Sequence, residues 1–116
     1  MSALRLMMTG LGLALLASPA AAQQAQLNTT QINNEIVGKV LSGRRGLMSF
    51  KMLHRPDGTS QMEAGLRSMD GTWRVTEDQL CMTWPKFRGG KERCSPLTKV
   101  GPARYKLRNG MVLTAQ

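Results

Sequence analysis

Histidine and tyrosine each occur once in these 116 residues, cysteine twice, and acidic side chains seven times. Each scarcity removes a class of function. A zinc site takes about four ligands, and two cysteines plus a lone His54 in a different strand region do not supply them. Cys81 and Cys94 stand too far apart for a Cys-x-x-Cys redox motif. A catalytic thiol needs an adjacent base, and again only His54 exists. It reads as an exposed histidine at a strand end. The acids are Glu35, Asp57, Glu63, Asp70, Glu77, Asp78 and Glu92, and their spacing sets no two of them on one cleft as a glycosidase requires. Asp57, Asp70 and Asp78 fall in turn-type sequence, where local hydrogen bonding accounts for them. No nucleophile elbow and no phosphate loop occurs. The expectation is a protein that is not an enzyme, with no catalytic, cofactor-binding or metal-binding residues.

Long apolar runs are missing too, except at the start. Arg5 precedes the apolar stretch Met7–Ala17, and Ala20-Ala21-Ala22 has the small-residue form of a signal-peptidase site. The stretch falls short of the roughly 20 residues that span a bilayer. It predicts a signal peptide over residues 1–22, cleaved after Ala22, and a periplasmic or secreted chain that does not span the membrane. No cysteine follows the apolar run, so a lipoprotein anchor is not indicated. Removing residues 1–22 leaves 94 residues, enough for one small domain. It also removes Arg5, leaving 15 basic against 7 acidic residues, a net charge of +8. In a cytosolic protein such a balance points to nucleic acid. In an exported one the nearby polyanions are phospholipid, lipopolysaccharide and acidic glycan, and no nucleic-acid partner is expected.

Residues 23–27 read as a flexible lead, and 28–116 as a single β domain with an N-terminal helix. Asn28 is a good N-cap with Gln31 at N3, and Leu27 and Ile32 are spaced as a hydrophobic staple. Ile32, Ile36, Val37 and Val40 share a helical face, and Gly43 is placed to end it, so the spacing predicts an amphipathic helix over 29–41. After Gly46 the apolar period becomes two. Met48, Phe50 and Met52 share a face; Met62, Ala64 and Leu66 form the next; Trp73 with Val75, and Leu80 with Met82 and Trp84, follow. "RPDGT", "MDGT" and Asn109-Gly110 read as turns between strands. With "RCSPLTKV", "ARYKL" and "MVLTA", about seven short strands are predicted. The fold class is mainly β: a small antiparallel meander forming a barrel-like or two-layer sheet, with one short N-terminal amphipathic helix covering a mouth or edge.

Within that frame the cysteine pair reads as a disulfide. It is an even pair in an oxidising compartment, symmetric about a turn near Phe87–Arg88. The loop it closes carries Lys86, Phe87, Arg88, Lys91 and Arg93, basic residues beside an aromatic, which suit an anionic surface. A second candidate set is apolar: Phe50, Met62, Trp73, Met82 and Trp84, together with Met48, Met52 and Met111, fill a core or line a pocket.

The order of a leader, a short helix, "LSGR", "PDGT", "GTWRV", "LCMTW", "ERC" and a closing "NG" hairpin resembles small exported lipocalin-like domains of uncharacterised function, chiefly alphaproteobacterial. The resemblance runs from about Asn28 to Leu113. It implies a small barrel-like fold and the Cys81–Cys94 bridge. It implies no activity, so it assigns no functional residues. Pro96 interrupts the strand after Cys94, which argues against a central position for that strand. Two functions are expected in this order: binding of an anionic cell-envelope partner (phospholipid, lipopolysaccharide or acidic glycan) through the cationic disulfide-based hairpin, and lipocalin-like binding of a small apolar ligand.

Overall fold

The period-two segments become ten strands of one antiparallel sheet in a computed structural model that describes residues 25–116. The expected leader over residues 1–22 and its cleavage point lie outside the described residues. The strands are β1 (Ala25–Gln26), β2 (Val40–Arg45), β3 (Met48–His54), β4 (Thr59–Ala64), β5 (Arg67–Thr76), β6 (Gln79–Thr83), β7 (Arg93–Ser95), β8 (Thr98–Gly101), β9 (Arg104–Lys106) and β10 (Val112–Ala115), with the helix α1 (Thr29–Glu35) between β1 and β2. Their order in the sheet is β1-β8-β9-β10-β2-β3-β4-β5-β6-β7. Every pairing is antiparallel, so β7 and β8 run in the same direction although they lie near opposite edges. Only Pro96-Leu97 separates them. One extended segment thus leaves β6 and joins β9, and the sheet curls into a half-barrel.

The expected single strand "RCSPLTKV" is therefore two. Proline has no N–H to donate, and it sits where the chain changes partners. Leu97 O accepts from Leu27 N at 2.8 Å, which ties β1 to the seam. Within the expected flexible lead, residues 25–27 are structured: Ala25 and Gln26 pair with Lys99 and Thr98, and Leu27 is buried.

The helix starts as expected and ends earlier. Asn28 and Gln31 make the reciprocal capping box. The helical run stops at Glu35, with Ile36 as C-cap, and Gly38 then takes φ +83°, a conformation that breaks a helix and costs glycine little. Val40, expected on the helix, opens β2. Gly43, expected as the terminator, lies inside β2, where Phe50 Cζ occupies the space a Cβ would need, at 2.7 Å.

The alternating turns sort the hairpin ends. The turns 46–47 and 65–66, the loop 84–92 and the loop 107–111 emerge at one end of the half-barrel; 55–58, 77–78 and 102–103 emerge at the other. Helix α1 crosses that second end. Asp78 Oδ1 accepts from Thr29 N at 2.7 Å and from Thr29 Oγ1 at 2.8 Å, holding the start of the helix to the β5–β6 turn. Glu35, at its finish, accepts from Lys99 Nζ at 2.9 Å and from Tyr105 OH at 2.7 Å. Beneath it Leu27, Ile32, Ile36, Leu41, Leu80, Leu97, Tyr105 and Leu113 form the buried core. One end is filled and covered; among the described residues, nothing covers the other.

Two local readings change. Asp70-Gly71 is not a turn but the middle of β5. Gly71 is there because Trp84 lies across it, its Cε3 only 2.6 Å from where a Cβ would stand. The turn falls earlier, at Gly65-Leu66, so Leu66 is fully exposed at its apex instead of facing the core with Met62.

Candidate functional site

The half-barrel encloses a trough of about 700 Å³ that opens at the uncovered end. Its floor follows from register. Met52 pairs with Met62, and Met62 with Met69, so three methionines form a row across β3, β4 and β5. Met82 and Trp84 of the β6 segment continue the lining, Phe50 and Met48 extend it toward the mouth, and Leu107 and Met111 form the facing wall. Met52 and Trp84 are nearly fully buried, Met48 at the rim is exposed, and the remainder are half-buried. Methionine is unbranched and polarisable, and it adapts to irregular apolar guests.

The mouth has a different chemistry. Arg45, Lys91, Arg93 and Arg108 line the same cavity. The acid among them is Glu92, whose carboxylate takes a two-point bond from Arg74, Nε to Oε2 at 2.7 Å and Nη2 to Oε1 at 2.8 Å. That guanidinium holds Glu92 ionised below the usual carboxylate range. Arg108 also closes the lateral gap between β7 and the β9–β10 loop: its backbone N donates to Ser95 Oγ at 2.8 Å and its Nη1 to Cys94 O at 3.2 Å.

The cysteines are a staple. Cys81 and Cys94 face each other across the β6–β7 pair and are bonded. Leu80 and Met82 face inward, so the bond lies on the outer side of the wall beside Arg74 and Glu92. Glu92 is near both sulfurs, but these are bonded to each other and the carboxylate to Arg74, a donor set already used internally. The staple fixes the base of a loop whose tip turns through Arg88–Gly90 with φ +71° at Gly89 and +70° at Gly90.

The two candidate sets of the sequence thus meet in part. Phe87, Lys91 and Arg93 from the cationic set share one cavity with Phe50, Met62, Met82 and Trp84 from the apolar set. Lys86 is exposed and does not line it, and Arg88 opens the tip turn. Trp73 packs against the core outside the trough, its Nε1 donating to Arg55 O at 2.7 Å. The turn-like composition of Asp70-Gly71 masks Met69 in the sequence, and Arg45 and Arg108 lie far from the cysteine loop. Continuing the period of two from Trp73 back through Gly71 would have found Met69.

His54 is buried, not exposed. Its Nδ1 lies 2.7 Å from Ser60 Oγ, and its ring meets Trp73 edge-on with centroids 6.2 Å apart. Loss of hydration on burial lowers its pKa to about 4. It sits at the end of β3 on the covered side, away from the trough lining. A second groove, of about 710 Å³, is lined by Ser42, Arg44, Lys51, Glu63 and Thr114 together with Phe50 and Val112, and has none of the methionines of the trough.

No protein family matches the chain, and neither does any curated protein or solved structure.

Proposed function

We propose that this protein binds an anionic amphiphile outside the cytoplasm, one acyl-type chain lying on the methionine row and its charged head at the basic mouth, and that it does not transform the ligand. The observation that carries this is the shared lining: Lys91, Arg93, Arg45 and Arg108 border the cavity whose floor is Met52, Met62, Met69 and Trp84. The volume is within the roughly 300–1,000 Å³ of small-molecule sites. An acidic glycan would leave the apolar floor unused, and a purely apolar ligand would leave the basic rim unused; a phospholipid-type molecule uses both. The acids support binding over catalysis, since the acid that lines the trough is Glu92, held in a two-point bond by Arg74. The extracytoplasmic setting rests on the leader-like residues 1–22.

The test compares tetradecanoate with tetradecanol by displacement of a fluorescent probe. The carboxylate should bind more tightly, with an affinity that falls as salt rises. Lys91→Gln with Arg93→Gln should weaken tetradecanoate about tenfold, the loss of two exposed charge interactions, and leave tetradecanol nearly unchanged. Met62→Lys should weaken both. Equal loss for acid and alcohol in the double variant, or saturable binding of neither by the native protein, would refute the reading.

A further inference from the structure

Two hairpins at the open end are built alike. Arg45 pairs with Met48 across the two-residue turn Gly46-Leu47, and Ala64 pairs with Arg67 across Gly65-Leu66. In each the glycine takes φ +62°, which the turn requires of its first position. Nothing in the turn requires leucine at the second. Polar residues serve there, as Glu77-Asp78 do in the two-residue turn at the covered end. Leu47 is nevertheless 96 % exposed and Leu66 107 % exposed. The two tips are neighbours, because β3 pairs with β4; continuing the Phe50–Ala64 register by two residues brings Met48, itself 59 % exposed, level with Leu66. Three apolar side chains therefore project together beyond the rim of the trough. Exposed apolar groups gathered in one place mark a contact surface.

Charge identifies the partner. Arg45, Arg67, Lys86, Lys91 and Arg108 are exposed around the same end, where Glu92 is held by Arg74. At the helix-covered end Glu35, Asp57, Glu77 and Asp78 are matched by Lys39, Arg55, Lys99 and Arg104, so the excess positive charge lies toward the open end. A polarised molecule with apolar tips set among cations matches an anionic bilayer surface, whose headgroups attract nearby Lys and Arg and admit leucine side chains below them.

We infer that the open end docks on an anionic phospholipid bilayer, Leu47 and Leu66 inserting among the headgroups, with the mouth of the trough against the membrane. The inference takes its purpose, loading and unloading of a lipid-type ligand, from the function proposed above, but its geometry stands without it. In that orientation a chain passes between bilayer and trough without crossing bulk water, and the helix-covered end remains in solvent.

The experiment measures partitioning of the protein to vesicles of phosphatidylglycerol and phosphatidylcholine in equal parts, and to vesicles of phosphatidylcholine alone. Leu47→Gln with Leu66→Gln should weaken binding to the mixed vesicles at least about tenfold, the loss of two buried leucines. Its melting temperature should be unchanged, since neither side chain packs on the fold, and so should tetradecanoate binding, since neither lines the trough. Arg67→Gln with Lys86→Gln, also outside the trough lining, should reduce preference for the mixed vesicles by about tenfold or more. Absence of binding to mixed vesicles by the native protein, or undiminished binding by the leucine variant, overturns the inference. So does loss of tetradecanoate binding in the leucine variant, which would make the tips part of the ligand site. Leucine-dependent vesicle binding without any tetradecanoate binding sustains the docking and refutes the amphiphile reading instead.

Discussion

Acidification below about pH 6.5 should destabilise this protein, and His54 is the reason. Its side chain has no exposed surface, its Nδ1 is engaged with Ser60, and its Nε2 has no hydrogen-bond partner among the described residues. Protonation would place a charge between Trp73 and Trp84, whose ring centroids lie 6.2 Å and 6.5 Å away. Burial thus lowers the pKa from 6.5 to about 4. Between these values the unfolded chain takes up the proton and the folded chain does not, so folding stability is lost as pH falls through that window. At about 1.4 kcal/mol for each tenfold change in proton affinity, the loss from pH 7 to pH 4 is on the order of 3 kcal/mol. Glu35 acts lower: bonded first by Lys99 and then by Tyr105, its carboxylate is held below 4.5, and its contribution is lost only as pH falls below that value. Urea unfolding followed by tryptophan fluorescence at a series of pH values measures the slope. His54→Asn retains a donor near Ser60 and does not titrate. It should be less stable than the native protein at neutral pH and nearly flat between pH 6.5 and 4. A native slope as flat as the variant's, or a variant slope as steep as the native one, would refute the reasoning.

Replacing Cys81 and Cys94 by Ser should cost about 3 kcal/mol for the loop closed by a sequence separation of 13, read as a lower urea midpoint. The intact mass of the oxidised protein should rise by two hydrogens on reduction. Gly71→Ala should cost several kcal/mol, because the methyl meets Trp84 and the Thr83 carbonyl, whereas Gly65→Ala meets no side chain and pays only for its positive φ; comparison of the two melting curves checks this. Asp78→Ala removes the acceptor for two donors of Thr29 and should lower stability by about 1–2 kcal/mol, with faster amide exchange in α1 than elsewhere.

Features whose cause lies within a few residues were legible. Asn28 and Gln31 announced the helix start because the capping box spans three positions. Asn109-Gly110 announced a hairpin because its geometry is local: Gly110 takes φ +92° and Asn109 Oδ1 accepts from Met111 N at 2.9 Å. The cysteine pair was legible because it is a single pair flanking one loop. The misread positions depend on distant groups. Gly43 is placed to end a helix, and only Phe50 on the next strand shows that it belongs to a sheet. Asp70-Gly71 has the composition of a turn, and only Trp84, thirteen residues later, shows why a strand needs glycine there.

What the sequence by itself determined is therefore mainly β structure, an N-terminal helix, a disulfide-closed basic loop and a set of inward methionines. These follow from alternation, capping and composition, which act between near neighbours. The tertiary structure decided the rest. It buried His54 and placed three methionines in one row. It brought Arg45 and Arg108 to the mouth that Lys91 and Arg93 border, and aligned two Gly-Leu tips beside it. Each of these depends on how strands distant in sequence are registered against one another, and a shift of one residue in any pairing would have turned the same side chains to the opposite face.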